Sequence, residues 1–269
     1  MKTFIAKSIL MLAVILGTAS AHADSGLAKK LANPVGSLVS VPFQFNYDNG
    51  YGTADGEKLF VNIQPVIPIT LNEDWNIISR TIVPVVWQDD IAGPSGDQFG
   101  LGDTFQSFWV SPKKPAPMGS LGNMVWGLGP AISLPTGTDD LLSSEKWSAG
   151  PTGLVIFLKG PWVYGGLANH VWSFAGESDR ADVNNTFLQP LVNYITKSAW
   201  TFGLNSETNY NWETEEWSVP INAMVSKLVT IGKQKVSFQV GARYWIESPD
   251  SGPDGWGARF TITLIFPQK

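Results

Sequence analysis

Reactive side chains are scarce in this chain, and their spacing limits what they could do. The sequence holds 2 histidines; His22 falls in a leader expected to be removed, so His170 is the single imidazole of the mature protein. Ser173 follows three positions on, and in an extended segment an odd offset places two side chains on opposite faces. A serine on a neighbouring strand could still reach His170, but the sequence contains no G-x-S-x-G turn. Catalysis is therefore not expected, and His170 is expected to serve packing or an interface. A lone imidazole excludes an imidazole-rich metal site, and oxygen-ligand calcium sites in the acidic loops have no further support. Neither a metal nor a cofactor is expected.

The stronger chemistry lies in charged and amide side chains that recur on one parity of extended segments. Arg80, Glu207, Arg243 and Arg259 share that polar parity with Gln44, Asn62, Gln64, Asn205, Asn222 and Gln239. If the apolar parity faces lipid, these groups project inward, because a charge on the lipid face near the midplane costs about 2 to 4 kcal/mol. Arg80, Asn205, Glu207, Gln239, Arg243 and Arg259 are therefore the candidates for lining a pore. Arg243 and Arg259 sit on consecutive segments and predict a positive patch, with Glu207 as its partner. Two readings stay open: a salt-bridged plug that fills the interior, or a constriction that binds solute. Asp103 either meets an arginine in the interior or caps the turn into the fourth segment. Leu134-Pro135-Thr136-Gly137 reads as the exit of the fifth, since Pro and Gly do not sustain a ladder.

The elements that must position these groups are strands. In Trp256–Phe266 the residues Trp256, Ala258, Phe260, Ile262, Leu264 and Phe266 alternate with Gly257, Arg259, Thr261 and Thr263, the period of a strand with one apolar face. Similar segments recur at residues 39–47, 59–69, 75–87, 99–110, 124–134, 147–158, 162–174, 187–196, 200–210, 217–226 and 236–246. In the third, fourth, seventh and eighth the parity is ambiguous, so their facing is open. The set predicts an all-β fold, an antiparallel transmembrane β-barrel of about 12 strands, closed by pairing the last strand with the first. Segments near the bilayer-crossing length of about nine to eleven residues are longer than the usual sandwich strand of about five or six. Tryptophans gather at segment ends, as at Trp75, Trp87, Trp162, Trp172, Trp200 and Trp212, where interfacial girdles lie.

Connections sort by length and charge. One set is longer and acidic, with residues 48–57 carrying Asp48, Asp55 and Glu57; the other is mostly short and carries Lys113, Lys114, Lys159, Lys197, Lys233 and Lys235. Long outer loops and short periplasmic turns are the asymmetry of outer-membrane barrels.

Composition agrees. Residues 1–23 read as a secretory signal: Lys2 and Lys7, an apolar run, then Ala21-His22-Ala23. Residues 24–269 then form a single barrel domain. With Trp 12, Gly 27 and Cys 0, the chain is aromatic-rich and disulfide-free. A net charge of -5 argues against nucleic acid as a partner.

Gly100-Leu101-Gly102-Asp103, Leu134-Pro135-Thr136-Gly137, Asn169-His170-Val171-Trp172-Ser173-Phe174-Ala175-Gly176 and Gln189-Pro190-Leu191-Val192-Asn193-Tyr194, in this order, resemble the family of outer-membrane transporters named for the meta-pathway of phenol degradation. The resemblance spans most of the mature chain. It implies an outer-membrane channel in a Gram-negative bacterium, bathed in outer-membrane lipid and passing small aromatic or hydrophobic solutes. The alternative is a closed structural or surface-binding barrel, with a membrane-embedded hydrolase further behind. No catalytic residues carry over from the family.

Overall fold

Segments of period two can bury one face only by pairing edge to edge, and here the sheet they form closes on itself. A computed structural model describes residues 24–36 and 38–266; the expected leader, residues 1–23, lies outside them. The strands are β1 (Val39–Tyr51), β2 (Gly56–Ile63), β3 (Val66–Thr70), β4 (Trp75–Asp89), β5 (Asp97–Leu101), β6 (Thr104–Pro112), β7 (Ala116–Pro117) and β8 (Asn123–Leu134), followed by β9 (Lys146–Lys159), β10 (Trp162–Gly176), β11 (Asn184–Ile195), β12 (Trp200–Ser206), β13 (Thr208–Asn211), β14 (Glu216–Ile231), β15 (Gln234–Glu247) and β16 (Trp256–Phe266).

Every pairing is antiparallel between neighbours, and β1 meets β16 from Val39↔Phe266 to Tyr47↔Ala258. Three staves are broken into pairs of strands: β2 and β3 at Gln64-Pro65, β5 and β6 at Gly102-Asp103, β12 and β13 at Glu207. The short β7 flanks β8. The result is the expected all-β barrel, with 12 staves.

Outward side chains are mainly apolar, among them Phe45, Leu59, Leu128, Phe202, Leu204 and Val240, all solvent-exposed in the isolated chain. Rings pack at the stave ends, Trp162 edge-on to Tyr194 and Tyr244 tilted against Trp256, with centroids 4.9 Å apart in each pair. A water-soluble protein would not leave so continuous an apolar band uncovered.

Two findings differ from the sequence reading. The first strand runs on to Tyr51, so Asp48 belongs to β1 rather than to an acidic outer loop, and it is 1% exposed. Residues 24–36, counted with the all-β barrel domain, contain a helix, α1 (Ser25–Leu31). Asp24 caps it by accepting from Leu27 N at 2.8 Å, and Lys29 and Lys30 in the last turn complement its dipole. Seven residues are too few to display a helical period.

This segment lies inside the barrel. Leu27, Ala28, Val35 and Leu38 join one buried cluster with Trp109, Ile195, Ala199, Leu228 and Ile265, at the end that carries the short turns. Trp109 is fully buried and donates from Nε1 to Thr152 Oγ1 at 3.1 Å. The sequence left four segments open in facing because apolar residues stand on their inner faces too: Ile78, Trp109, Val163, Leu167 and Val171 on β4, β6 and β10 are buried, and Leu191 on β11 packs against the same cluster.

Candidate functional site

Register alone brings the interior charges to one level. Asn46 on β1 faces Arg259 on β16, Arg243 on β15 faces Asn222 on β14, and Asn222 faces Asn205 on β12. Glu207, in the break between β12 and β13, lies outside both ladders and turns into the lumen. The carboxylate of Glu207 accepts from Arg259 Nη1 at 2.9 Å and Nη2 at 2.6 Å and from Arg243 Nη2 at 2.8 Å.

Arg243 also donates to Asp48 Oδ2 through Nη1 and to Asn222 Oδ1 through Nε, at 2.9 Å each, while Trp245 Nε1 donates to the other Asp48 oxygen at 3.1 Å. Arg259 Nε donates to Asn46 Oδ1 at 2.7 Å. Buried ions need such dense pairing to offset lost hydration. Gly257 makes room for it: a Cβ there would come within 2.4 Å of Asp48 Oδ1 and 2.6 Å of Tyr47 O.

Arg80 stands apart. Its Nη2 donates to Gln64 Oε1 at 2.7 Å, and Gln64 Nε2 donates to Gln44 Oε1 at 2.9 Å; among the described residues it forms no ion pair. Three arginines against Asp48 and Glu207 leave one positive charge unmatched. Lys58, which faces the same interior and forms no ion pair among the described residues, adds another.

Cavities lie on both sides of this charged belt. The lower, of about 270 Å³, is bounded by residues 28–36 and reaches Arg80, Glu207 and Arg259. Above, one cavity of about 380 Å³ touches Asp48, Lys58, Glu207, Arg243 and Arg259. A second, of about 360 Å³, touches Arg80 and Asp103. The belt therefore separates two spaces and contacts each, the geometry of a constriction.

The structure brings all six sequence-singled lumen residues to the interior. Asn205 Oδ1 accepts from Asn222 Nδ2 at 2.8 Å, and Gln239 Oε1 accepts from Thr261 Oγ1 at 3.2 Å; both line the lower cavity. Asp48 and Asn46 were not among the candidates, yet they continue the parity of Ser40 and Gln44; Asn46 lies within the segment read as 39–47, and Asp48 one residue past its end.

Asp103 follows neither of its two readings. It meets no arginine and does not cap its own turn. Its carboxylate accepts from Gly137 N at 3.1 Å and from Ser143 Oγ, Ser144 N and Ser144 Oγ at 2.7 Å each, fastening the connection between β8 and β9. Two of the four family-like motifs thereby touch.

His170 faces outward beside Trp172 and Trp212, with ring centroids 5.5 and 6.4 Å away. Its Nδ1 shares a hydrogen bond of 2.8 Å with Thr186 Oγ1, to which Trp212 Nε1 also donates at 2.8 Å. Ser173 is engaged elsewhere, with Asp182 at 3.0 Å.

No protein-family model matches the chain, and no curated protein matches it. Among solved structures it is similar to an outer-membrane channel from Pseudomonas putida, with 12% identity, a TM-score of 0.66, and coverage of 86% of this chain and 96% of that one. It is also similar to outer membrane phospholipase A from Escherichia coli, with 9% identity, a TM-score of 0.51, and coverage of 86% and 98%. At these identities the likeness is one of fold.

Proposed function

We propose that this chain is an outer-membrane channel for small solutes with an apolar body, gated at its periplasmic mouth. The observation that carries the reading is the belt of Arg80, Glu207, Arg243 and Arg259 with open cavities above and below it. A barrel serving only as structure has no need of buried ions bordering empty space. The apolar outer band and ring girdles support an outer-membrane location, and the similar channel from Pseudomonas putida supports conduction. The motif resemblance to transporters of the phenol meta-pathway supports aromatic or hydrophobic solutes. In this reading the segment around α1 holds the lower mouth shut until it shifts.

Hydrolysis is the weaker reading. His170 is held by a threonine and two indole rings, and no carboxylate or amide orients it among the described residues. The test is solute-driven swelling of liposomes carrying refolded mature protein, with sugars, small aromatic acids and neutral aromatics. Uptake above protein-free vesicles, altered by Arg243→Ala or Arg259→Ala, is expected. Tight vesicles around a folded, heat-modifiable barrel would refute the channel and leave the closed surface-binding barrel.

A further inference from the structure

The upper cavity beside β6 and β10 is unlike the rest of the lumen. One side is apolar and ringed, with Ile82, Phe105, Leu167 and Phe187; another carries Ser107, Asn169, Asn185 and Asn209. Among the described residues, the amides of Asn169, Asn185 and Asn209 make no hydrogen bond. Asn169 is 9% exposed and Ser107 4%, so what freedom they have is toward the cavity. Asn185 is half-buried and Asn209 exposed, so the four present accessible donors and acceptors to a molecule entering the cavity.

Arg80 supplies the charge. Its single side-chain hydrogen-bond partner among the described residues is the neutral Gln64; Glu207 is near enough to feel its charge but does not pair with it, and most of the guanidinium's N–H donors remain uncommitted. Arg243 and Arg259, by contrast, are each tied to Glu207. Asp103 borders the same cavity, but its two oxygens are saturated by the connection between β8 and β9, so it does not answer Arg80. A guanidinium with free parallel donors matches a carboxylate fork. About 360 Å³ suits a single-ring molecule with a little water, since an engineered cavity of about 150 Å³ holds benzene.

The geometry points to a subsite in this cavity for small monocarboxylates with a compact apolar ring, Arg80 taking the carboxylate and Phe105 and Phe187 flanking the ring. The inference deepens the channel reading and rests on it only for the claim that such solutes pass through. Binding is testable apart from passage.

The experiment is equilibrium binding of benzoate to the detergent-solubilised mature barrel by calorimetry, with the neutral isostere benzamide alongside. Benzoate is expected to bind, benzamide more weakly. Arg80→Gln is expected to weaken benzoate by about ten-fold or more, the loss of a charge-assisted bond, and to leave benzamide little changed. Arg80→Lys keeps the charge but not the fork, and is expected to fall between the two. Each variant is first checked for heat-modifiable mobility; Ser107→Leu, which fills the cavity without altering charge, should weaken both probes if Arg80→Gln does not fold. Equal binding of the two probes, or benzoate affinity indifferent to Arg80→Gln in a folded barrel, overturns the subsite. A barrel that binds benzoate yet keeps liposomes tight leaves the subsite standing and removes the channel. A conducting barrel indifferent to Arg80 does the reverse.

Discussion

Replacing Glu207 by glutamine strips one carboxylate from two arginines at once, and the structure says how unevenly they suffer. Arg243 keeps Asp48, Asn222 and Asn46 as partners. Among the described residues Arg259 keeps only Asn46 as a side-chain hydrogen-bond partner, so the penalty falls on Arg259. Each Arg–Glu attraction is about 4 kcal/mol gross at charge separations near 4 Å and an effective dielectric of about 20. The amide still accepts one hydrogen bond, and the Glu207 side chain is 20% exposed to the lumen, so water softens the loss. The expected net cost is about 3 kcal/mol, the low end of the range for removing one partner of a buried pair.

The assay is urea unfolding in detergent micelles followed by the fluorescence of the tryptophans, with the slope unchanged and the midpoint lowered. A double-mutant cycle with Arg259→Gln should return a coupling of about 1 to 3 kcal/mol. Coupling near zero, with both single variants folded, would refute the belt as a mutually dependent unit.

Three other outcomes are expected. Gly257→Ala pushes a methyl group against Asp48 Oδ1 and Tyr47 O and should destabilise the barrel by about 1 to 3 kcal/mol, read as a lower urea midpoint at unchanged slope; an unchanged midpoint would show that β1 and β16 can spread. His170→Ala, assayed by thin-layer chromatography of phospholipid, should leave any lipid hydrolysis by the purified barrel unchanged, whereas loss of a real activity would restore the hydrolase reading. Lys146, then Ser173, hydrogen-bond the Asp182 carboxylate and hold its pKa below the ordinary carboxylate value. A depressed folded pKa stabilises above the unfolded value of about 3.9 and is lost as pH falls through the folded one. Protection of the Val183 amide, held by Ser173 Oγ at 3.2 Å, should therefore persist to about pH 4, fail below it, and become pH-independent in this range in Asp182→Asn.

Much of the barrel was legible because lipid and lumen impose opposite demands on alternate residues. β16 is bounded as read, and β8 separates Met124, Trp126 and Leu128 from Val125, Gly127 and Ala131 by face. The alternation blurred where the lumen itself is apolar: Ile78, Trp109 and Leu167 are buried inside while Trp162 and Trp172 are exposed outside, so both parities of β4, β6 and β10 read as greasy. The arginines could be assigned to the interior because a charge has only one tolerable side. Their partner Asp48 was missed because it stands beside residues 49–57, whose glycines and acids look like a loop, although pairing with Lys58 extends the ladder that far. The helix of residues 25–31 carries too few turns to announce itself, and its burial is set by a wall of staves remote in sequence, β11 and β12 among them, with Trp109 and Ile265 in the same cluster.

That wall has a consequence for how the chain is assembled. α1 precedes β1 directly, and β1 finds its second neighbour only in β16, so Val39 waits for Phe266. Closure with such sequence separation is slow. Until it happens β1 is an open edge, and Leu27, Ala28 and Val35 lack Ile265, a part of their cover. Synthesis halted before the last strand would therefore leave two liabilities, a pairing edge and a partly uncovered helix, on one nascent chain, and this stage is where a holdase would have most to protect.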